Sequence, residues 1–258
     1  MEVIFLKTPS YKSIPRMLVL AERPWRRMEA VSRLEEWLRE IFLEAGGGSL
    51  KLSKGEDGWI IVEADDERLL ASILRLNTRL DSISSIDPPH TGKITKIGRG
   101  KIFYEYPLPD GSTVRKTSYA RDWAIQLGYE GDDAEEFLEA LGVVEGMSIS
   151  TSLNMPSLTQ RKIFLDEVFK GLDRIVLIDL TPQEVEKILE SGFQGFTAVY
   201  ETITPLIHIV YLKLGANLDK ASKRLGILMQ SMVPKASHRP LNWRKLSTIN
   251  WNENQFEI

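Results

Sequence analysis

From Gly92 to Tyr106 the chain reads Gly-Lys-Ile-Thr-Lys-Ile-Gly-Arg-Gly-Lys-Ile-Phe-Tyr-Glu-Tyr. Few local structures accommodate such a stretch. The isoleucines and aromatics on either side of Gly98-Arg99-Gly100 favour two strands, and the glycines supply the positive backbone angles of a tight hairpin turn. Alternate residues of a strand share a face. Lys101, Phe103 and Glu105 are therefore expected on one side, and Ile102, Tyr104 and Tyr106 on the other.

One of these faces has to fill a core. The other, with cations to track phosphates and an aromatic to stack on a base, has the composition of a nucleic-acid-binding surface. Each base stacked there is worth about 1–3 kcal/mol. The candidate contacts are Lys93, Lys96, Arg99 and Lys101 for phosphate, and Phe103 or Tyr104 for stacking.

Breakers divide the rest of the chain. Residues 1–86 suggest a βαββα unit. Val3 to Leu6 opens it, and Ala30, Val31, Leu34, Leu38, Ile41, Phe42 and Ala45 keep a helical period that Gly46-Gly47-Gly48 stops. A hairpin of Leu50–Leu52 and Trp59–Val62 follows, and Asp65 opens a further helix. Asp87-Pro88-Pro89 then ends the unit. Residues 87–155 hold the glycine-rich hairpin, a strand around Thr113 to Lys116, two short helices (the second capped by Asp132 with Glu135) and a strand from Met147 to Leu153. That order suits a small OB- or S1-like β-barrel with a helical insertion.

Residues 156–232 suggest a second α+β unit. Ser157 with Gln160, and Thr181 with Glu184 beside Pro182, have the spacing of capping boxes. Arg174–Ile178 is an apolar strand, Thr197–Ile203 and Leu206–Leu214 a hairpin, and Asn217–Met229 a helix. Residues 233–258 suggest an irregular basic tail. The fold class is thus α+β throughout.

A net charge of −3 conceals strong segregation. Seven acids and no base lie between Glu130 and Glu145; seven bases and no acid lie between Lys220 and Lys245. Such a chain can hold a polyanion locally despite its negative average. Lys220, Lys223 and Arg224 at helical spacing, followed by Arg239 and by Arg244 beside Trp243, are expected to extend the electrostatic track of the hairpin. The acidic helix from Asp132 to Leu141 would instead suit a basic protein partner.

Enzyme signatures are missing: there is no phosphate-binding Gly-x-x-x-x-Gly-Lys-Ser/Thr loop, no dinucleotide fingerprint and no Gly-x-Ser-x-Gly elbow. One acid–base candidate remains. If Thr204-Pro205 is a two-residue turn, Glu201 stands opposite His208 on a face shared with Val199, Val210 and Leu212. With no cysteine and three scattered histidines, no metal or cofactor is expected. The absence of cysteine, of a long apolar run and of a signal-peptide pattern fits a cytoplasmic protein without membrane association.

Three stretches together resemble an archaeal family, the domain of unknown function numbered 2110. They are Gly92–Tyr106, Gly171-Leu172-Asp173-Arg174-Ile175-Val176, and His208 through Lys213-Leu214-Gly215 to Arg224-Leu225-Gly226. The family's cysteine before Lys213-Leu214-Gly215 has no counterpart here. The resemblance spans residues 90–235 and implies an archaeal cytoplasmic origin; it brings no activity with it. The Gly92 hairpin is also similar to the opening of S1-type RNA-binding barrels. These readings converge on a non-catalytic nucleic-acid-binding protein of archaeal information processing, RNA being the favoured ligand. The alternatives are an accessory factor that docks a protein of the transcription or translation machinery, and an enzyme built on Glu201 and His208.

Overall fold

The computed structural model describes residues 17–20, 27, 29–44, 50–55, 57–64, 90–107, 112–126, 129, 131–140, 142–152, 155–156 and 172–241. The fold is mixed α+β, with three antiparallel sheets among the described residues. The expected elements at Val3–Leu6, Asp65 onward and Ser157–Gln160 lie outside the described residues, as do Trp243 and Arg244.

In the N-terminal unit, β1 (Met17–Leu20), β2 (Leu50–Lys54) and β3 (Ile60–Ala64) form a sheet of order β1-β3-β2. Helix α1 (Ala30–Glu44) packs Ala30, Leu34, Leu38 and Phe42 onto it, together with Leu50, Ile60 and Val62. Ala30, Leu34, Leu38 and Phe42 of the stripe read from the sequence are buried, with Val31 partly so. Strand β1 was not foreseen.

The central unit is a five-stranded sheet of order β6-β5-β4-β7-β8. Its strands are β4 (His90–Gly98), β5 (Lys101–Pro107), β6 (Thr113–Tyr119), β7 (Ser148–Ser152) and β8 (Met155–Pro156). Among the described residues its edges β6 and β8 do not pair with each other, and no closed barrel forms. Helices α2 (Ala120–Gln126) and α3 (Ala134–Ala140) pack against one face.

The C-terminal unit has the sheet order β10-β11-β9-β12, from β9 (Arg174–Ile178), β10 (Thr197–Thr204), β11 (Ile207–Leu212) and β12 (Ser237–Leu241). Ser237–Leu241, expected in an irregular tail, is an edge strand on β9. Pro240 is tolerated there because an edge strand can spare a ladder donor. Helices α4 (Pro182–Glu190) and α5 (Leu218–Met232) cover one face with Val185, Ile188, Leu225 and Met229 against Ile175, Leu177, Val210 and Leu212. The opposite face, from Val176, Ile178, Ile207, Ile209 and Tyr211, shares a core with Ile94, Ile102, Tyr104, Trp123 and Phe137 of the central unit. That core runs across the boundary expected at residue 155.

The N-terminal unit is fastened to both others. Leu206 enters its core. The Trp59 indole N–H donates to Thr113 Oγ1 on β6 at 2.8 Å. The buried Arg27 guanidinium grips Glu184 through two bonds of 2.7 and 2.6 Å. Glu184 also accepts from Thr181 N at the start of α4, at 2.9 Å. Burial pushes its pKa up, but the bonds from Arg27 and Thr181 N and the charges of Arg27 and Arg33 outweigh that and hold it below the ordinary carboxylate value.

Candidate nucleic-acid interface

The turn between β4 and β5 positions the site. Gly98 pairs with Lys101, leaving Arg99 and Gly100 as the two central residues, both left-handed at φ 56° and 73°. That is the type I′ geometry that suits the twist of a hairpin, and its second position favours glycine. The turn is held from outside. Gly100 O accepts from Ala120 N at 2.8 Å, at the start of α2, and Gly100 N donates to the Glu135 carboxylate on α3. Glu135 was expected to reach back to a cap at Asp132. The helix instead starts one residue later than that pairing requires, and the carboxylate satisfies the turn.

On β5 the parity is as argued from the sequence. Ile102 and Tyr104 are buried, with the Tyr104 ring 5.6 Å from that of Trp123. Tyr104 is therefore a core residue and not a stacking platform, and burial raises its phenol pKa. The other face divides along its length. At one end Lys93 is fully buried in register with the buried Glu105, which is ion-paired to Arg115 at 3.6 Å. A cation at that depth cannot meet a phosphate, so Lys93 leaves the candidate set. At the other end Lys96, Arg99 and Lys101 are exposed and Phe103 is half-buried. A register shift between Ile94 and Lys96 brings Lys96 opposite Phe103.

Tyr119 joins this exposed end and was missed in the sequence. It pairs with Lys101 across β5 and β6, is 59% exposed, and lies under Lys101 Nζ, 5.6 Å from the ring centroid. The sequence signal was parity: had the strand at Thr113 been extended to residue 119, Tyr119 would have fallen on the Thr117 face, beside Lys101 and Phe103. Exposed lysine over an aromatic is a weak attraction, of about 0.5–1 kcal/mol. Its consequence is positional, since it keeps a cation beside an open ring.

Next to this patch is a groove of about 620 Å³ that shares Gly100 and Tyr119 with it. Asp122, Asp132, Asp133, Glu135 and Glu136 line it against a single base, Arg121. Among the described residues no three His, Asp or Glu side chains come together as a metal site, this groove included.

The second cationic region is separate. Lys220, Lys223 and Arg224 are exposed on α5, whereas Arg239 on β12 is half-buried and donates to the His238 carbonyl at 3.1 Å. His238 in turn meets Ser222 Oγ at 3.1 Å, which ties β12 to α5. Burial, with the charge of Arg239, lowers the His238 pKa. Because α5 covers one face of the C-terminal sheet and the central unit the other, that sheet stands between the two regions. They form no continuous track. Lys235, within the same basic run, is ion-paired to Glu29 at 2.6 Å.

The acid–base pair dissolves. The hairpin turns on Pro205-Leu206, with Thr204 paired to Ile207, and not on Thr204-Pro205; with the irregularity between Thr202 and Thr204 this places Thr202, not Glu201, opposite His208, and Glu201 opposite Ile209. His208 is fully buried, with Nε2 2.7 Å from the Leu180 carbonyl and Nδ1 3.0 Å from Thr202 Oγ1. A carbonyl only accepts, so Nε2 carries the proton and Nδ1 accepts from the threonine. Burial pulls the pKa down to about 4, against the carbonyl bond and the more distant Glu184 charge. This is a neutral structural histidine.

No protein-family model matches the chain, and no curated protein matches it. Among the described residues no helix is long and apolar enough to cross a membrane.

Proposed function

We propose that the exposed end of the central sheet binds nucleic acid, and that the protein is a non-catalytic nucleic-acid-binding factor, with RNA the expected ligand and archaeal information processing the setting. One observation carries the reading: three exposed cations, Lys96 and Lys101 on the strands and Arg99 in the turn, lie next to two aromatics, the exposed Tyr119 and the half-buried Phe103. Phosphate contacts supply affinity without sequence preference, and rings offer a stacking surface that any base can use. The central sheet offers one such face, as an OB-type barrel does. The resemblance to the archaeal family is consistent with the setting and adds no activity.

The α5 cations are left as a solvated helix face, since they do not join the patch. The protein-docking alternative draws on the acidic groove.

The test is fluorescence anisotropy of labelled oligonucleotides over a salt series. Replacing Lys96, Arg99 and Lys101 together by alanine is expected to weaken binding about tenfold or more and to flatten the log–log salt slope by about 2, from 0.7 per lost phosphate contact on a single strand. An unchanged slope in a folded triple variant would sink the assignment.

A further inference from the structure

We propose that the patch accepts a single strand with unpaired bases and rejects duplex, and that the carboxylates of the adjacent groove enforce the choice. This rests on the nucleic-acid reading above and adds the substrate class to it. Three features of the site point the same way.

The first is the pair of rings. Phe103 pairs with Thr117, two residues from Tyr119, so the aromatics are diagonal neighbours on one face. Such neighbours stand roughly 7–8 Å apart, which leaves each ring room for a base of its own. A ring can stack only on a base whose face is free. In a duplex those faces are already stacked on each other, so the aromatic contribution is available to single strands alone.

The second is where the charges change sign. Lys96, Arg99 and Lys101 are exposed outside the groove, while Asp122, Asp132, Asp133, Glu135 and Glu136 line it, Gly100 and Tyr119 being common to patch and groove. A single strand can follow the cations and keep clear of the groove. Duplex DNA carries one charge per 1.7 Å of axis on two backbones. Seating one backbone on the cations turns the other toward the acids. Screening acts over roughly 8–10 Å at ordinary salt, so the repulsion falls on whatever part of the second backbone comes within that reach of the groove.

The third is that the helix with most of the acids at its start is anchored to the hairpin turn and to the core. The Glu135 carboxylate is bonded to Gly100 N within the turn that carries Arg99. The stacking of Tyr129 on Phe137, with centroids 4.5 Å apart, anchors α3 in the core. The turn that carries Arg99 and the helix that carries Glu135 and Glu136 are thus tied to each other.

The experiment compares labelled single-stranded RNA and DNA dodecamers with hairpin duplexes of matched length, on the full chain at one salt concentration. The wild-type protein is expected to prefer the single strands about tenfold or more, a difference of about 1.4 kcal/mol. RNA against DNA then distinguishes the two sources of a single strand. In the variant Asp132→Asn, Asp133→Asn, Glu136→Gln, all three positions are exposed, Asn keeps a good helix cap, and Glu135 stays to hold the turn. It should gain duplex affinity by at least about tenfold and single-strand affinity by much less. If the wild type binds duplex as well as single strand, or the variant gains equally on both, the inference fails while the nucleic-acid reading stands. If neither probe binds at low salt, the reading itself fails. A labelled decalysine that binds the wild type but not the variant would, in that event, assign the groove to a basic protein segment.

Discussion

The central and C-terminal sheets are both antiparallel and share a core, yet they are covered differently. Helices pack on one face of the C-terminal sheet and the central unit on the other, so every residue of β9 and β11 is buried. The central sheet is covered on one face and only part-way along the other, which leaves Lys96, Lys101, Phe103 and Tyr119 accessible. The central strands of a doubly covered sheet have no face left on which to bind a ligand. The buried polar groups of the C-terminal unit serve the scaffold: His208 ties Leu180 to Thr202 within it, and Glu184 on α4 clamps Arg27 of the N-terminal unit. A half-covered sheet can carry side chains chosen for a ligand without weakening its core. The chain separates the two tasks, with scaffold in one sheet and contact surface in the other.

The largest expected effect tests the scaffold side. Glu184→Gln leaves the Arg27 guanidinium buried without its carboxylate, which typically costs about 3–5 kcal/mol. Urea unfolding should show a loss of that size. Oligonucleotide affinity, measured where the variant is still folded, should stay at the wild-type value. A loss under about 1 kcal/mol would mean that the clamp is not what fastens the N-terminal unit.

Next in size is the response to acid. His208 is neutral in the folded protein down to about pH 4, against an ordinary value of 6.5. The unfolded chain therefore takes up a proton first, and stability falls as pH drops from 6.5 toward 4, by roughly 3 kcal/mol in all. Glu184 adds a second loss lower down: its folded pKa is depressed, so its contribution is present above the ordinary carboxylate value and disappears as pH falls through the folded one. Urea midpoints at pH 7, 5.5 and 4.5 should trace the first decline, and His208→Gln should flatten it at some cost in stability at pH 7. An equally steep decline in that variant would place the titration elsewhere.

What could be read from the sequence follows the same division. Arg174–Ile178 and Ile207–Leu212 are apolar without alternation, the pattern of strands buried on both faces, and Pro182 with Glu184 marked the start of α4. The hairpin was legible because glycine at the turn and alternation on β5 are local facts. What escaped notice depends on partners distant in sequence. Ser-His-Arg-Pro-Leu has no strand propensity of its own and becomes β12 only because β9 offers a free edge. Lys93 and Lys96 look alike in the sequence, but the structure buries one and exposes the other. The hairpin turns one residue later than Thr204-Pro205, which leaves His208 one position past Glu201 even after the irregularity beyond Thr202, enough to turn an imagined acid–base pair into a hydrogen bond with a threonine. Tyr119 was hidden because Lys-Thr-Ser before it resembles a loop.

The smallest effect on stability gives the sharpest separation of surface from scaffold. Arg99 holds a left-handed backbone angle that costs a non-glycine residue roughly 1–2 kcal/mol, and its side chain is exposed. Glycine at this position relieves that strain but adds freedom to the unfolded chain, so the two effects largely offset each other. Arg99→Gly should therefore change the unfolding free energy by less than about 1 kcal/mol, in either direction. It removes one cation from the turn and nothing from the core. If the patch contacts phosphate through Arg99, the salt slope on a single strand should fall by about 0.7 with stability unmoved. A variant equally stable and equally salt-dependent would show that the arginine at the tip of the hairpin contacts no phosphate, and would confine the contact surface to Lys96, Lys101 and the two rings.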